Sequence, residues 1–134
     1  MALPNGAGGY QLGDGNLTEV VLGVTSPVAL TGDTTLSAAQ MSRGVVSCNK
    51  GSDAGLTVTT ATGADIDAGM PSAKIGSSFE LTINNANNSG SSSTVTVSAG
   101  TGVTLYGTGT VPRNGANTYR FVRTAEATWA AYLK

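Results

Sequence analysis

The sequence contains no histidine and only one cysteine, Cys48. The absence of histidine excludes most catalytic triads, the usual general base and most zinc sites. Cys48 ends the apolar run Val45–Cys48, so we expect a buried, unreactive thiol rather than a nucleophile. A single cysteine cannot form a disulfide within the chain, which agrees with folding in a reducing compartment. We therefore expect a protein that is not an enzyme and that uses no metal and no cofactor.

Charge is also scarce. Charged residues make up 11% of the 134 residues, and the formal net charge is -1, whereas a typical soluble domain carries about 25% charged residues. Because no basic stripe is present, nucleic acid is not an expected partner. The sequence lacks both a long apolar run and the charged start of a secretory signal, so we expect no membrane association and folding in a cytoplasm. A surface with so few charges suits contact with other proteins.

Glycine, serine and threonine are abundant: the chain has 19 glycines, 40% apolar residues and 5% aromatic residues. Short segments with alternating apolar residues recur at intervals of about ten residues, which is typical of β-sandwiches and jelly rolls. The segment 77–106 predicts a meander of three strands that share one core, with an exposed loop at Asn85 to Ser93 and a tight turn at Gly100 to Gly102. The predicted core residues are Phe79, Leu81, Ile83, Val95, Val97, Val103, Leu105, Phe121 and Trp129.

Local signals add two short helices and a hairpin. Ser37 is placed to cap one helical turn, with Gln40 at the capping-box position. The segment Gly63 to Met70 predicts no more than one further turn, which Pro71 would end. Asn114-Gly115 is a strong hairpin signal. We therefore predict an all-β fold, a jelly-roll-like antiparallel β-sandwich over residues 19–134, without a period long enough to indicate an internal repeat.

Residues 1–18 predict an extended N-terminal arm, because they contain several glycines and no apolar periodicity. The arm nevertheless offers aromatic and aliphatic anchors together with hydrogen-bonding groups. Its contact candidates, for binding another protein or another subunit, are Leu3, Tyr10, Gln11, Leu12, Asp14, Asn16 and, at its border, Glu19.

Two groups of charged residues allow more than one interpretation. Asp65 and Asp67 form a D-x-D pair that could hold a cation or act as paired acids, but a capped helical turn facing water is favoured. Arg113, Arg120 and Arg123 lie in the C-terminal segment. They form either a solvated strand face or a surface that presents guanidinium groups to a partner's carboxylates.

Four segments resemble the small decoration, or cement, proteins on the heads of tailed bacteriophages: GYQLGDGNLTEVVLG at 9–23, TTLSAAQMSRGVV at 34–46, IGSSFELTINN at 75–85 and TVTVSAGTGVTLYGTGTV at 94–111. The resemblance implies a jelly-roll sandwich that assembles as a homodimer or homotrimer on the outer surface of the capsid. It implies the major capsid protein as partner and synthesis in the host bacterial cytoplasm. It supplies no catalytic residues. Arg113 and Arg120 join the arm as contact candidates.

A second interpretation is a receptor-binding or glycan-binding β-sandwich domain of a phage fibre, whose aromatic side chains would stack on sugars. The sequence has only seven aromatic residues, and the pattern commits several of them to the core. A glycan array and co-sedimentation with phage heads distinguish these two interpretations, because the fibre domain would bind glycans and the decoration protein would bind heads.

The arm generates a first prediction. Deleting residues 1–16 removes its anchors but none of the predicted core, so the truncated protein should remain folded and soluble. It should bind heads more weakly, because ordering the arm and burying Tyr10 and Leu12 would contribute to affinity. Co-sedimentation with phage heads measures the binding. A truncated protein that binds as well as the full chain would contradict a role of the arm in binding.

Overall fold

The computed structural model describes residues 26–134, so the predicted arm and residues 19–25 of the predicted sandwich lie outside the described residues. Within this range 43% of residues are in strands and 10% are in helices. The elements in chain order are β1 (Val28–Leu30), β2 (Thr34–Thr35), α1 (Ala38–Met41), β3 (Val45–Cys48), β4 (Leu56–Thr59), α2 (Gly63–Gly69), β5 (Ser78–Asn85), β6 (Val95–Ser98), β7 (Val103–Tyr106), β8 (Thr110–Val111), β9 (Ala116–Ala125) and β10 (Thr128–Leu133).

The strands form two mixed sheets. A six-stranded sheet has the order β1-β3-β5-β9-β10-β7, and a four-stranded sheet has the order β2-β4-β6-β8. Parallel pairs join β1 to β3, β3 to β5, β2 to β4, β4 to β6 and β7 to β10. Antiparallel pairs join β5 to β9, β9 to β10 and β6 to β8, so each of them includes at least one of the C-terminal strands β8, β9 and β10. The predicted jelly-roll-like antiparallel sandwich, and with it the all-β class, is therefore wrong.

The parallel pairs arise because the chain winds in stacked coils. Each coil places one strand in the six-stranded sheet and the next in the four-stranded sheet: β1 and β2, then β3 and β4, then β5 and β6. Val28 pairs with Val46, which pairs with Ile83, and Thr34 pairs with Val58, which pairs with Val97. The coils differ in length, so stacked positions are not evenly spaced in sequence. The structural repetition therefore leaves no fixed period.

The three strands predicted as a meander exist, but they do not pair with one another. β5 and β7 belong to the six-stranded sheet, where β9 and β10 separate them, and β6 belongs to the four-stranded sheet. Asn114 does form a turn with a positive φ of 58°. That turn links β8 to β9, which lie in different sheets, so the predicted hairpin is also wrong.

The two helices lie on the return segments, each carrying the chain from the four-stranded sheet back to the six-stranded one. The capping box predicted at Ser37 and Gln40 is confirmed. Helix α2 spans seven residues, longer than predicted, with Thr62 as its N-cap. The helices touch where Gly69 approaches Ala38 so closely that a Cβ on the glycine would lie 2.5 Å from the alanine Cβ. Neither helix in the described part of the chain has the length and apolar character needed to cross a bilayer.

Residues from both sheets and both helices share one core. The predicted core is confirmed for Leu81, Ile83, Val95, Val97, Val103, Phe121 and Trp129, while Phe79 and Leu105 are half-buried. Phe79 stacks on Phe121 at 5.0 Å between ring centroids and meets Trp129 edge-on at 5.6 Å. Tyr119 is fully buried, and its hydroxyl donates to the carbonyl of Thr108. These aromatic contacts join β5, β9 and β10.

The segment Asn85 to Ser93 is not the freely exposed loop that its composition predicts. Asn85, Asn87 and Ser93 are buried. The Asn85 amide donates to the carbonyls of Ser93 and Val111, at 2.7 and 3.2 Å, and its oxygen accepts from the Asn87 backbone. The Asn87 amide donates to the carbonyl of Ser52 in the loop of the preceding coil. The loop is thus held by polar side chains that turn inward.

Replacing Asn85 with alanine should cost about 2 to 4 kcal/mol of unfolding free energy, because the buried Ser93 carbonyl would lose the Asn85 donor, the Val111 carbonyl would lose one of its donors, and the Asn87 N–H would lose its acceptor. Asn88→Ala, in the same loop but exposed, should change stability by less than about 0.5 kcal/mol. Urea unfolding of both variants measures the difference. Equal midpoints would contradict the role assigned to the buried amide.

Candidate functional site

The outer face of the six-stranded sheet carries a row of large exposed side chains on adjacent strands. Tyr106 on β7 pairs with Tyr132 on β10, Tyr132 pairs with Arg120 on β9, and Arg120 pairs with Glu80 on β5. Lys134 follows β10 and reaches Glu80 as well. We call these five residues the tyrosine–arginine surface. It forms because outward positions of neighbouring strands lie in register across the sheet.

The tyrosines of this surface stack on each other. Their ring centroids are 5.1 Å apart, and the ring planes differ by 10°. Tyr106 is 52% exposed and Tyr132 is 44% exposed. The alternation of Val103 and Leu105 with Thr104 and Tyr106 predicts an outward position for Tyr106, which is confirmed. The two rings present aromatic area and hydroxyl groups on rigid strands, which is the chemistry of a contact surface.

Glu80 organises the charged half of the same surface. Its Oε2 atom accepts from the Lys134 ammonium at 2.7 Å and from the Arg120 guanidinium at 2.6 Å. Hydrogen bonding by Lys134, followed by the charges of Lys134 and Arg120, holds the pKa of Glu80 below its ordinary value. Two cations and one anion leave a local excess of one positive charge. Because these groups are exposed, the ion pairs orient the side chains more than they stabilise the fold.

The sequence-predicted contact residues are not all brought together. Arg120 belongs to the tyrosine–arginine surface, whereas Arg113 follows β8 and donates to the carbonyl of Gly90 at 2.7 Å, tying the C-terminal segment to the loop of the third coil. The remaining candidates lie outside the described residues: Leu3, Tyr10, Gln11, Leu12, Asp14, Asn16 and Glu19. Sequence reasoning placed Tyr106 on the outside but missed its stacking on Tyr132, since nothing local indicates that β7 and β10 pair.

Arg123 and Asp67 form a different kind of pair. The Asp67 carboxylate accepts two hydrogen bonds from Arg123, one from the Ala127 backbone and one from the Trp129 indole, at distances of 2.7 to 3.0 Å. The Asp67 and Arg123 side chains are only 19% and 18% exposed. The favoured interpretation of Asp67 as part of a water-facing turn is therefore wrong, while Asp65 is exposed. The carboxylate instead fastens α2 to the turn between β9 and β10.

These contacts set the charge of Asp67. The hydrogen bond from Arg123 is the largest effect, and with the bonds from Ala127 and Trp129 it holds the pKa of Asp67 well below its usual range. The same pairing raises the pKa of Arg123. A carboxylate held in its ionised form by four donors is poorly suited to take up a proton as a general base. We assign it a structural role.

The outer face of the four-stranded sheet is uncharged along its strands. Thr57 and Thr59 of β4 lie in register with Thr96 and Ser98 of β6. Beside β2 an open groove of about 350 Å³ is lined by Asp33, Thr34, Thr35, Thr57 and Thr59. The Asp33 carboxylate already accepts the Thr57 backbone N–H at 2.9 Å. This face offers hydroxyl and methyl groups but no aromatic or cationic anchor.

Reactive groups are sparse among residues 26–134. No three acidic or cysteine side chains in that range converge on a position where they could hold a metal ion. Cys48 is fully buried, as predicted, and burial raises the pKa of its thiol to about 11. It is therefore protonated and unreactive near neutral pH.

Comparison of the chain with protein-family models, with characterised proteins and with solved structures finds no match.

The Asp67 contacts predict a pH-dependent stability. Because the pKa of Asp67 is lowered in the folded state, its contribution is present above the unfolded-state value of about 4 and is lost as pH falls towards the folded-state value. Asp67→Asn should melt at a lower temperature than the wild type at pH 7, and this gap should narrow below about pH 4. Asp65→Asn, on the same helix, is the control and should melt like the wild type at pH 7 and also below about pH 4. A constant gap for Asp67→Asn across this range would contradict the assignment.

Proposed function

We propose that this chain is a capsid decoration, or cement, protein that binds the outside of a phage head and stabilises contacts between major capsid protein subunits. The sequence resemblance suggests this class of protein. The tyrosine–arginine surface is the observation that carries the proposal, because it supplies the face that would contact the capsid. The jelly roll that the resemblance implies is not the fold of this chain. The proposal therefore rests on the resembling segments and on the surface, and not on fold analogy.

The composition of the surface supports contact with protein. Tyrosine and arginine are enriched at protein interfaces and supply much of the binding energy there. Tyr106, Tyr132 and Arg120 stand on paired strands, so little backbone entropy is lost when they are covered. Glu80 already neutralises one of its two cations, and the remaining positive charge favours a partner that offers a carboxylate.

Stabilisation of the shell follows from mass action. A protein that binds adjoining capsid subunits in their assembled positions, and dispersed subunits less well, shifts the equilibrium towards the assembled shell. Many copies on one head add their contributions. The low net charge of -1 limits repulsion between neighbouring copies. In this proposal the protein resides on the outer surface of the virion after synthesis in the host bacterial cytoplasm.

One observation favours the second candidate, a glycan-binding domain of a phage fibre. The sequence pattern commits several aromatic side chains to the core, but Tyr106 and Tyr132 are exposed and stacked. A sugar ring could lie against the face of Tyr106 that Tyr132 does not cover. A glycan array tests this directly, and selective binding that Tyr106→Ala abolishes would favour the fibre domain.

Binding to heads tests the decoration proposal. Arg120→Ala and Tyr132→Ala should each weaken co-sedimentation with heads that lack the protein by about tenfold or more, because both side chains would be covered in the complex. Thr96→Ala, on the outer face of the other sheet, is the control and should bind like the wild type. All variants should melt near the wild-type temperature. If the Thr96 variant alone loses binding, the four-stranded sheet is the contact face and the tyrosine–arginine surface is not.

A further inference from the structure

One edge of the six-stranded sheet is β1, which has three residues and also no charge, and the other edge is β7. No strand of residues 26–134 lies beyond it, whereas its other side pairs with β10. Its sequence, Val103–Tyr106, has no charged residue and no proline. Natural edge strands are commonly protected by charges, proline, bulges or short length, because exposed backbone groups pair with other chains. The edge strands β2 and β8 of the other sheet are only two residues long, but β7 has four residues and a half-exposed tyrosine.

The hydrogen-bond pattern identifies which backbone groups of β7 face outward. The Trp129 N–H of β10 donates to the carbonyl of Gly102 at 2.9 Å. In a parallel ladder, alternate residues bond to the same neighbour, so Thr104 and Tyr106 direct their N–H and C=O groups towards β10. Leu105 directs both of its groups to the open side. The Val103 N–H also faces away from β10, but the Gly100 carbonyl already accepts it at 3.0 Å.

We propose that this edge pairs with the same edge of a second copy of the chain, in an antiparallel register centred on Leu105. Where the two-fold axis passes through a hydrogen-bonded pair, one residue lies opposite itself and needs both a free N–H and a free C=O. Among the described residues of β7 only Leu105 meets this condition, because the Val103 N–H already donates to Gly100 and Thr104 and Tyr106 face β10. An axis through Thr104 or Tyr106 would place a non-hydrogen-bonded pair at the centre, and the cysteine variants below distinguish these registers. The two six-stranded sheets then join into one sheet with both outer faces on the same side.

The side chains fit this register. Tyr106 lies opposite the partner's Thr104, on the outer face. The two Tyr106 rings become diagonal neighbours at about 7 to 8 Å between Cα atoms, within reach of aromatic side chains. The stack of Tyr132 on Tyr106 at 5.1 Å thus continues into the partner's Tyr106 and Tyr132. The edge has no charge that would repel its own copy.

The proposal concerns the isolated protein and holds whether or not the chain binds a capsid. Its consequence for the proposed function is bivalence, since the dimer presents two tyrosine–arginine surfaces in one plane. The contact is small compared with stable dimer interfaces of about 1,200 to 2,000 Å². We therefore expect a dimer that dissociates in the micromolar range in solution.

Sedimentation velocity of the full chain tests the dimer without any capsid. The wild type should pass from monomer to dimer between low and high micromolar concentrations. Thr104→Lys should raise the dissociation constant at least tenfold, because two ammonium groups would enter the centre of the contact. Thr96→Lys makes the same change at an exposed strand position of the four-stranded sheet and should dimerise like the wild type. Circular dichroism should show both variants folded.

Cysteine pairs test the register. Thr104 and the partner's Tyr106 form a non-hydrogen-bonded pair, with Cα atoms about 4.5 Å apart, which suits a disulfide. A mixture of Thr104→Cys and Tyr106→Cys proteins should form a disulfide-linked heterodimer under mild oxidation, while each variant alone should not cross-link. Efficient cross-linking of Thr104→Cys alone, or of Tyr106→Cys alone, would overturn the register. A wild type that remains monomeric at 100 micromolar, roughly tenfold above the expected dissociation range, or a Thr96→Lys variant that is as monomeric as Thr104→Lys, would overturn the dimer.

Discussion

The hydrogen bonds between successive coils are the interaction on which the rest of this structure depends. β1, β3 and β5 stack in one sheet and β2, β4 and β6 in the other, so the backbone groups of each coil are satisfied by the coil beside it. The loops follow the same rule: Asp33 accepts from Thr57, and Asp53 accepts from Ser92, each one coil further on. Because the coils are held by this ladder, their outward side chains lie in register. The outer faces of the two sheets therefore carry defined rows of side chains.

The C-terminal strands complete the stack with a different kind of pairing. β9 runs antiparallel to β5, and β10 antiparallel to β9, so the winding ends in a hairpin. Asp67 fastens this hairpin to α2 through Arg123 and Trp129, which joins the second coil to the end of the chain. The few charges of the protein are therefore used selectively. Among residues 26–134 one half-buried pair, Asp67 and Arg123, holds elements together, and one exposed group of three orients the tyrosine–arginine surface.

The alternation of apolar residues is sufficient to locate most strands and their buried faces. The apolar-rich segments Val45–Cys48 and Thr128–Leu133 are strands, and the predicted core residues Phe121 and Trp129 are buried. Alternation does not say which strand lies beside which, because that depends on the path of the connections. The stacked coils, the Tyr106 and Tyr132 pair and the Asp67 contacts join residues far apart in sequence, so no local pattern indicates them. The predicted exposure of Asn85 is wrong because polar composition alone indicates a surface loop. The Asn85 amide is buried, and it donates hydrogen bonds to the carbonyls of Ser93 and Val111.

We propose that the outer face of the six-stranded sheet, whose rows of side chains are held in register by the stacked coils, is the contact face. An image reconstruction of the decorated phage head tests this proposal most directly. We predict that the protein lies on the outside of the shell, that Tyr132 and Arg120 face the major capsid protein, and that the Thr57 and Thr96 face is turned away from it. A particle whose surface lacks this protein, or one in which the threonine face meets the shell, would contradict the account.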